Sequence, residues 1–263
     1  MLFANNVWYG LLIALIATFI YAFLMINNDT SIVMGMNHAH EVSEAQQPQL
    51  YHVVQDMALV ARLPMPKVYI VDTPALNAFA TGNDPQHAAV AVTQGLLDKM
   101  DREELEGVIG HEISHIRNYD IRLQTIALVL SSVITFLVDW CSRWFWWGNS
   151  DDDDNNNNNP LKIILLVIII CLGPLAATIA QMALSRNREY LADASSVDLT
   201  RNPKGLIRAL ETIKANEQPI KNVPAASAAM YLDDPLKNKR HFWNDLFDTH
   251  PPIDERIKRL EAM

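Results

Sequence analysis

The sequence predicts an α+β, mainly helical fold with a small β-sheet, joined to transmembrane helices. Three observations lead there. Long uncharged stretches stand at Val7–Ile26, Leu123–Val138 and Ile163–Ser185. Three short β-rich runs bounded by Pro and Gly turns cluster between residues 67 and 93. Much of the remainder carries apolar residues at helical spacing.

Val7–Ile26 is twenty residues without a charge, about 30 Å as a helix, the thickness of a bilayer's hydrocarbon core. No Lys or Arg precedes it and no small-residue cleavage site follows closely, so it reads as an uncleaved anchor. Leu123–Val138 ends at Asp139, beside Trp140, Trp144, Trp146 and Trp147, which read as an interfacial belt. Ile163–Ser185 contains Gly173 and Pro174, which membrane helices tolerate. Of the 21 basic residues, none lies in 1–26 and only Arg143 and Lys162 lie in 139–162. The positive-inside rule then places 27–122 and 185–263 in the cytoplasm. The expected organisation is an amino-terminal span (1–26), a first cytoplasmic part (27–120), a membrane hairpin (121–184) with an acidic and Asn-rich loop near 148–160, and a second cytoplasmic part (185–263). That loop, Asp151–Asp154 followed by Asn155–Asn159, reads as solvated low-complexity chain outside the cytoplasm. A net charge of −9 argues against a nucleic-acid partner. Cys141 and Cys171 lie in or beside spans with no CxxC pattern, so they form neither a disulfide framework nor a metal site.

Within the first cytoplasmic part, Gln49–Arg62 reads as an amphipathic helix stopped by Leu63-Pro64-Met65-Pro66. Lys67–Asp72, Asn77–Thr81 and Ala88–Thr93 read as strands, with turns at Thr73-Pro74 and Gly82-Asn83-Asp84-Pro85. A short helix near Gln94–Met100 leads into a longer one, Glu103–Asn118, with Asp101 as N-cap. Further helices are expected near Ser185–Leu199, Pro203–Asn216, Ala225–Leu232 and Pro252–Met263.

The longer helix carries His111-Glu112-Ile113-Ser114-His115. Histidines four apart share one helical face and can grip one metal ion. The glutamate between them stays within reach of a water on that ion. A hydrolytic zinc site needs a third protein ligand. A third histidine six residues after the second is excluded, because that position is Ile121. A later carboxylate remains. Glu189 and Asp193, four apart in Arg186–Asp193, offer one ligand and one acceptor for a ligand histidine's other nitrogen. Glu211, Glu217 and Glu255 are alternatives that spacing leaves open.

The run Gly107–Ile116, followed by Arg186–Asp193, resembles the HtpX family of membrane-bound zinc metalloproteases, bacterial relatives of the CAAX prenyl proteases. Leu76-Asn77-Ala78-Phe79-Ala80 and Thr249-His250-Pro251-Pro252 extend the likeness, which runs from about residue 15 to the end. The resemblance implies a gluzincin-like metalloprotease domain with one Zn2+ per chain, held by His111, His115 and Glu189. It implies Glu112 as the base and Asp193 as the acid behind a ligand histidine. It also implies Asn77 as a contact for the substrate backbone, and His250 and Arg256 as oxyanion stabilisers. The implied activity is hydrolysis of peptide bonds in membrane proteins, with misfolded or damaged ones as substrates in quality control, by a multi-pass protein of the cell membrane. One departure stands out: the family usually has two hydrophobic segments before the catalytic region, and this chain shows one.

Overall fold

The computed structural model describes residues 29–147, 186–216, 231–232 and 251–263, with isolated positions 16, 17, 19, 20, 23, 24 and 167. The spans expected at Val7–Ile26 and Ile163–Ser185, the Asp/Asn loop and His250 lie almost wholly outside these residues. Among the described residues no helix is long and apolar enough to cross a membrane. The segment Leu123–Val138 forms the middle of a helix.

The elements in order are α1 (Asp29–Met36), β1 (Ala39–Glu41), α2 (Pro48–Ala61), β2 (Lys67–Val71), β3 (Ala78–Thr81), β4 (Ala89–Thr93), α3 (Gln94–Lys99), α4 (Arg102–Arg117), α5 (Asp120–Trp147), α6 (Arg186–Thr200), α7 (Pro203–Ala215) and α8 (Ile253–Leu260). The sequence did not announce α1 and β1: the first has little amphipathic contrast and the second is three residues long. Of the helix expected at Ala225–Leu232, only Tyr231 and Leu232 are described, and both sit in a bend.

The four strands form one mixed sheet in the order β1-β2-β4-β3. β2 and β4 run parallel, Lys67 opposite Ala89 and Val71 opposite Thr93, while β1 and β3 pair antiparallel at the two edges. Side chains alternate across the pleat, and both faces are covered. Val68, Ile70, Ala78, Ala80, Val90 and Val92 belong to the core that contains Val53 and Val54 of α2 and Val108, Ile109 and Ile113 of α4. Tyr69, Val71, Phe79 and Ala91 face Val33, Met34 and Tyr231 on the other side. That double burial explains why β4 reads Ala-Val-Ala-Val-Thr with no polar alternation.

α4 starts where the sequence predicts. Asp101 accepts from the Glu104 amide at 2.9 Å, and the Glu104 carboxylate accepts from the Asp101 amide at 2.9 Å. This reciprocal pair satisfies two of the amides a helix start leaves open. Small residues then set the neighbours of α4. A methyl on Gly107 would sit 2.6 Å from the Leu206 amide of α7, and one on Gly110 would sit 2.9 Å from Ser196 Oγ of α6. Ser196 Oγ donates to the Gly107 carbonyl at 2.7 Å. The close approach runs α6 antiparallel to α4, with Ser196 beside Gly107 and residues one and two turns earlier in α6 beside His111 and His115.

Candidate metal centre

That packing brings three donors together. His111, His115 and Glu189 are all buried, and one ligand atom from each can be chosen so that all lie within 4.8 Å of one another. The two Nε2 atoms are 3.1 Å apart, with Glu189 Oε2 3.6 Å from His111 Nε2 and Oε1 3.5 Å from His115 Nε2. Tetrahedral zinc with bonds of 2.0–2.1 Å sets its ligands about 3.3 Å apart, so the donor set fits such an ion. The alternatives fare differently. Glu211 and Glu255 are exposed, Glu255 pairing with Arg259 at 2.9 Å, and Glu217 lies outside the described residues.

Each imidazole is held from behind by a carboxylate. Asp193 Oδ1 lies 3.0 Å from His111 Nδ1, and Asp120 Oδ2 lies 3.0 Å from His115 Nδ1. An ionised carboxylate only accepts, so each Nδ1 carries a hydrogen and each Nε2 is turned to the shared centre, where a neutral ring offers its lone pair to a metal. Asp193 is gripped in turn by Arg256, whose Nε and Nη2 donate to its two oxygens at 2.9 and 2.6 Å. Arg256 is 1 % exposed and also donates from Nη1 to the Leu232 carbonyl at 3.2 Å. The sequence reading put Arg256 beside the reacting carbonyl. The structure directs these donors to Asp193 and Leu232, and brings Nη2 within 3.3 Å of His111 Nδ1. Asp120 was not singled out from sequence at all.

Burial pushes the Asp193 carboxyl upward, but Arg256 and the His111 hydrogen bond outweigh it and hold the group down at about 2. For His111, burial alone favours the neutral ring; hydrogen bonds to Asp193 and Glu189 overcome this and lift it to about 9 in the metal-free chain. The pocket therefore favours positive charge between its carboxylates, whether carried by a proton or a divalent cation. Glu112 is enclosed, 2 % exposed, between the two histidines in sequence. Burial raises its pKa, with the histidines pulling the other way.

Asn77 lies just before β3 and is buried. Its backbone pairs with Thr93, and its Oδ1 accepts from the Ala78 amide at 3.1 Å. β3 is a sheet edge, and the Ala78 carbonyl on that edge accepts the Leu232 amide at 2.9 Å.

Comparison with known proteins accords with this geometry. The family model described as peptidase family M48 matches residues 44–263. A protease HtpX homologue of Levilactobacillus brevis is 59% identical over 267 residues, covering 100% of this chain and 89% of its own. Another from Pediococcus pentosaceus is 68% identical over 241 residues, covering 90% of this chain and 80% of its own. The crystal structure of S. mikatae Ste24p superposes with a TM-score of 0.56 at 20% sequence identity, covering 98% of this chain. The chain spans 59% of that protein's length, and the likeness at this identity concerns the fold. A helix-borne His-Glu-x-x-His, a buried glutamate completing the donor set and a match over most of the sequence agree: this chain belongs to peptidase family M48 and is a metallopeptidase.

Proposed function

We propose that the chain is a membrane-bound, zinc-dependent endopeptidase that hydrolyses peptide bonds of membrane proteins in their quality control. The donor triangle of His111, His115 and Glu189, with edges near those of a tetrahedral zinc site, carries this reading. In it these three residues would hold one Zn2+, whose Lewis acidity would lower the pKa of a water and polarise a carbonyl. Glu112 takes the proton from the attacking water and passes it to the leaving amine, a role its enclosure suits. Asp193 and Arg256 keep His111 in the tautomer that faces the centre. An extended peptide adds along the β3 edge beyond Ala78, whose amide and carbonyl are taken by Asn77 and Leu232, with Asn77 contacting the peptide backbone. His250, assigned to oxyanion stabilisation by the family likeness, lies outside the described residues.

Membrane attachment rests on the uncharged stretches and on exposed apolar surface. Leu123, Ile126 and Leu130 form an outward stripe on α5, and Ile16, Phe19, Ile20, Phe23 and Leu24 of the first stretch are also exposed. In this reading 1–26 and 121–184 lie in the bilayer, and the metal site faces the cytoplasm. The test is metal analysis of purified protein together with digestion of casein and of a model membrane protein, with and without chelator. About one zinc per chain is expected, lost in His115→Ala and kept in Glu112→Ala, with turnover lost in both. Cleavage that survives zinc removal defeats the reading.

A further inference from the structure

The carboxylate behind His115 comes from an unexpected place. Asp120 is five residues beyond His115, and on an unbroken helix five residues are a rotation of about 140°, pointing away from the imidazole. α4 instead stops at Arg117, and Tyr119 takes φ +60, the left-handed region that a bulky side chain rarely enters. That single residue turns the chain so that Asp120, now the first residue of α5, returns to His115 Nδ1 at 3.0 Å. Asp120 is buried, and Arg188 Nε stands 3.7 Å from its other oxygen. Arg188 directly precedes Glu189, so one turn of α6 presents both the third donor and the cation that steadies Asp120. Such strain persists only where the surroundings enforce it, and it clusters where geometry serves function.

We propose that Asp120 is a positioning residue of the metal site, fixing His115 with Nδ1 protonated and Nε2 facing the ion. Because Asp120 opens α5, it also ties the imidazole's orientation to the α4–α5 joint. A shift of α5 against α4 then reaches the metal through one hydrogen bond. This rests on the reading that His115 binds zinc.

The test compares the full-length protein with Asp120→Ala, Asp120→Asn and Arg188→Gln. Zinc affinity is read by competition with a chromophoric chelator, and site geometry by the visible absorption bands of the cobalt(II)-substituted forms. Loss of the hydrogen-bond acceptor in Asp120→Ala weakens zinc by about 10–100-fold, the range for outer partners of metal-binding histidines, and alters the cobalt bands. Asp120→Asn, which keeps a neutral acceptor, loses less. Arg188→Gln loses least. If Asp120→Ala does not fold, the near-isosteric Asp120→Asn decides. Wild-type affinity and an unchanged cobalt spectrum in the Asp120 variants, even with a lowered melting temperature, would make the contact purely structural and overturn the proposal. An unsubstituted chain that binds no zinc would instead overturn the functional reading on which it stands.

Discussion

The two histidines of the donor triangle are braced alike and yet differently. Behind His111 stand Asp193 and Arg256, sealed in the core and joined by a two-pronged hydrogen-bonded pair. Behind His115 stand Asp120 and Arg188, with Arg188 Nε 3.7 Å from Asp120 and the Arg188 side chain 24% exposed. The same three functional groups therefore do two jobs. The sealed chain links α8, α6 and α4, so the fold itself depends on it. The open chain sits at a helix joint, where solvent weakens the ion pair and the hydrogen bond to His115 is its main consequence. Both carboxylates are buried; what separates the two braces is the arginine, sealed in one and partly exposed in the other.

The sharpest way to break the contrast is to remove each arginine. Arg256→Met leaves Asp193 buried without its main cation and is expected to cost about 3–5 kcal/mol of folding stability. If denaturant titration finds the loss below about 1 kcal/mol, the sealed chain is not structural. Glu112→Ala separates both braces from catalysis: turnover should fall by at least about 100-fold while zinc content, measured by elemental analysis, stays at the wild-type level. Titration of the metal-free protein tests the charged pair on the His111 side. His111 is raised to about 9, so its stabilising contribution is complete below the unfolded value of about 6.5 and disappears as pH rises through about 9. Asp193, lowered to about 2, contributes above about 4 and fails as pH falls through about 2. The melting temperature of chelated protein should therefore fall from pH 6.5 to 9, and the gain on adding zinc should grow over the same interval; a flat profile refutes the charged pair. The smallest effect is expected for Arg188→Met, about 0–1 kcal/mol in the same denaturation experiment. A loss equal to that of Arg256→Met would erase the difference between the two braces.

Some of this was legible in one dimension. The helix bearing His111, Glu112 and His115 follows from its period and from Asp101, because a capping box and an i, i+4 pair are local devices. β2, β3 and β4 were legible for the same reason, each bounded by its own turn. α1 and β1 were not, because short elements with little apolar contrast exist by virtue of what covers them: Val33 and Met34 are buried against the far face of the sheet. Arg256 was read from the family likeness as an oxyanion stabiliser; its hydrogen bonds to Asp193, 63 residues away in sequence, are a matter of packing that no local pattern announces.

Sequence alone determined that two imidazoles share a helical face with a carboxylate between them, and that a glutamate and an aspartate four apart form a second pattern suited to join them. Tertiary structure decided the rest. Gly110 and Ser196 let two helix backbones approach closely enough for Glu189, rather than Glu211 or Glu255, to meet the histidines. A left-handed Tyr119 brought Asp120 back across a turn that helical periodicity would have directed away. Spacing along a chain fixes directions only within one unbroken element; where an element stops and what it packs against are settled by contacts between residues far apart in sequence.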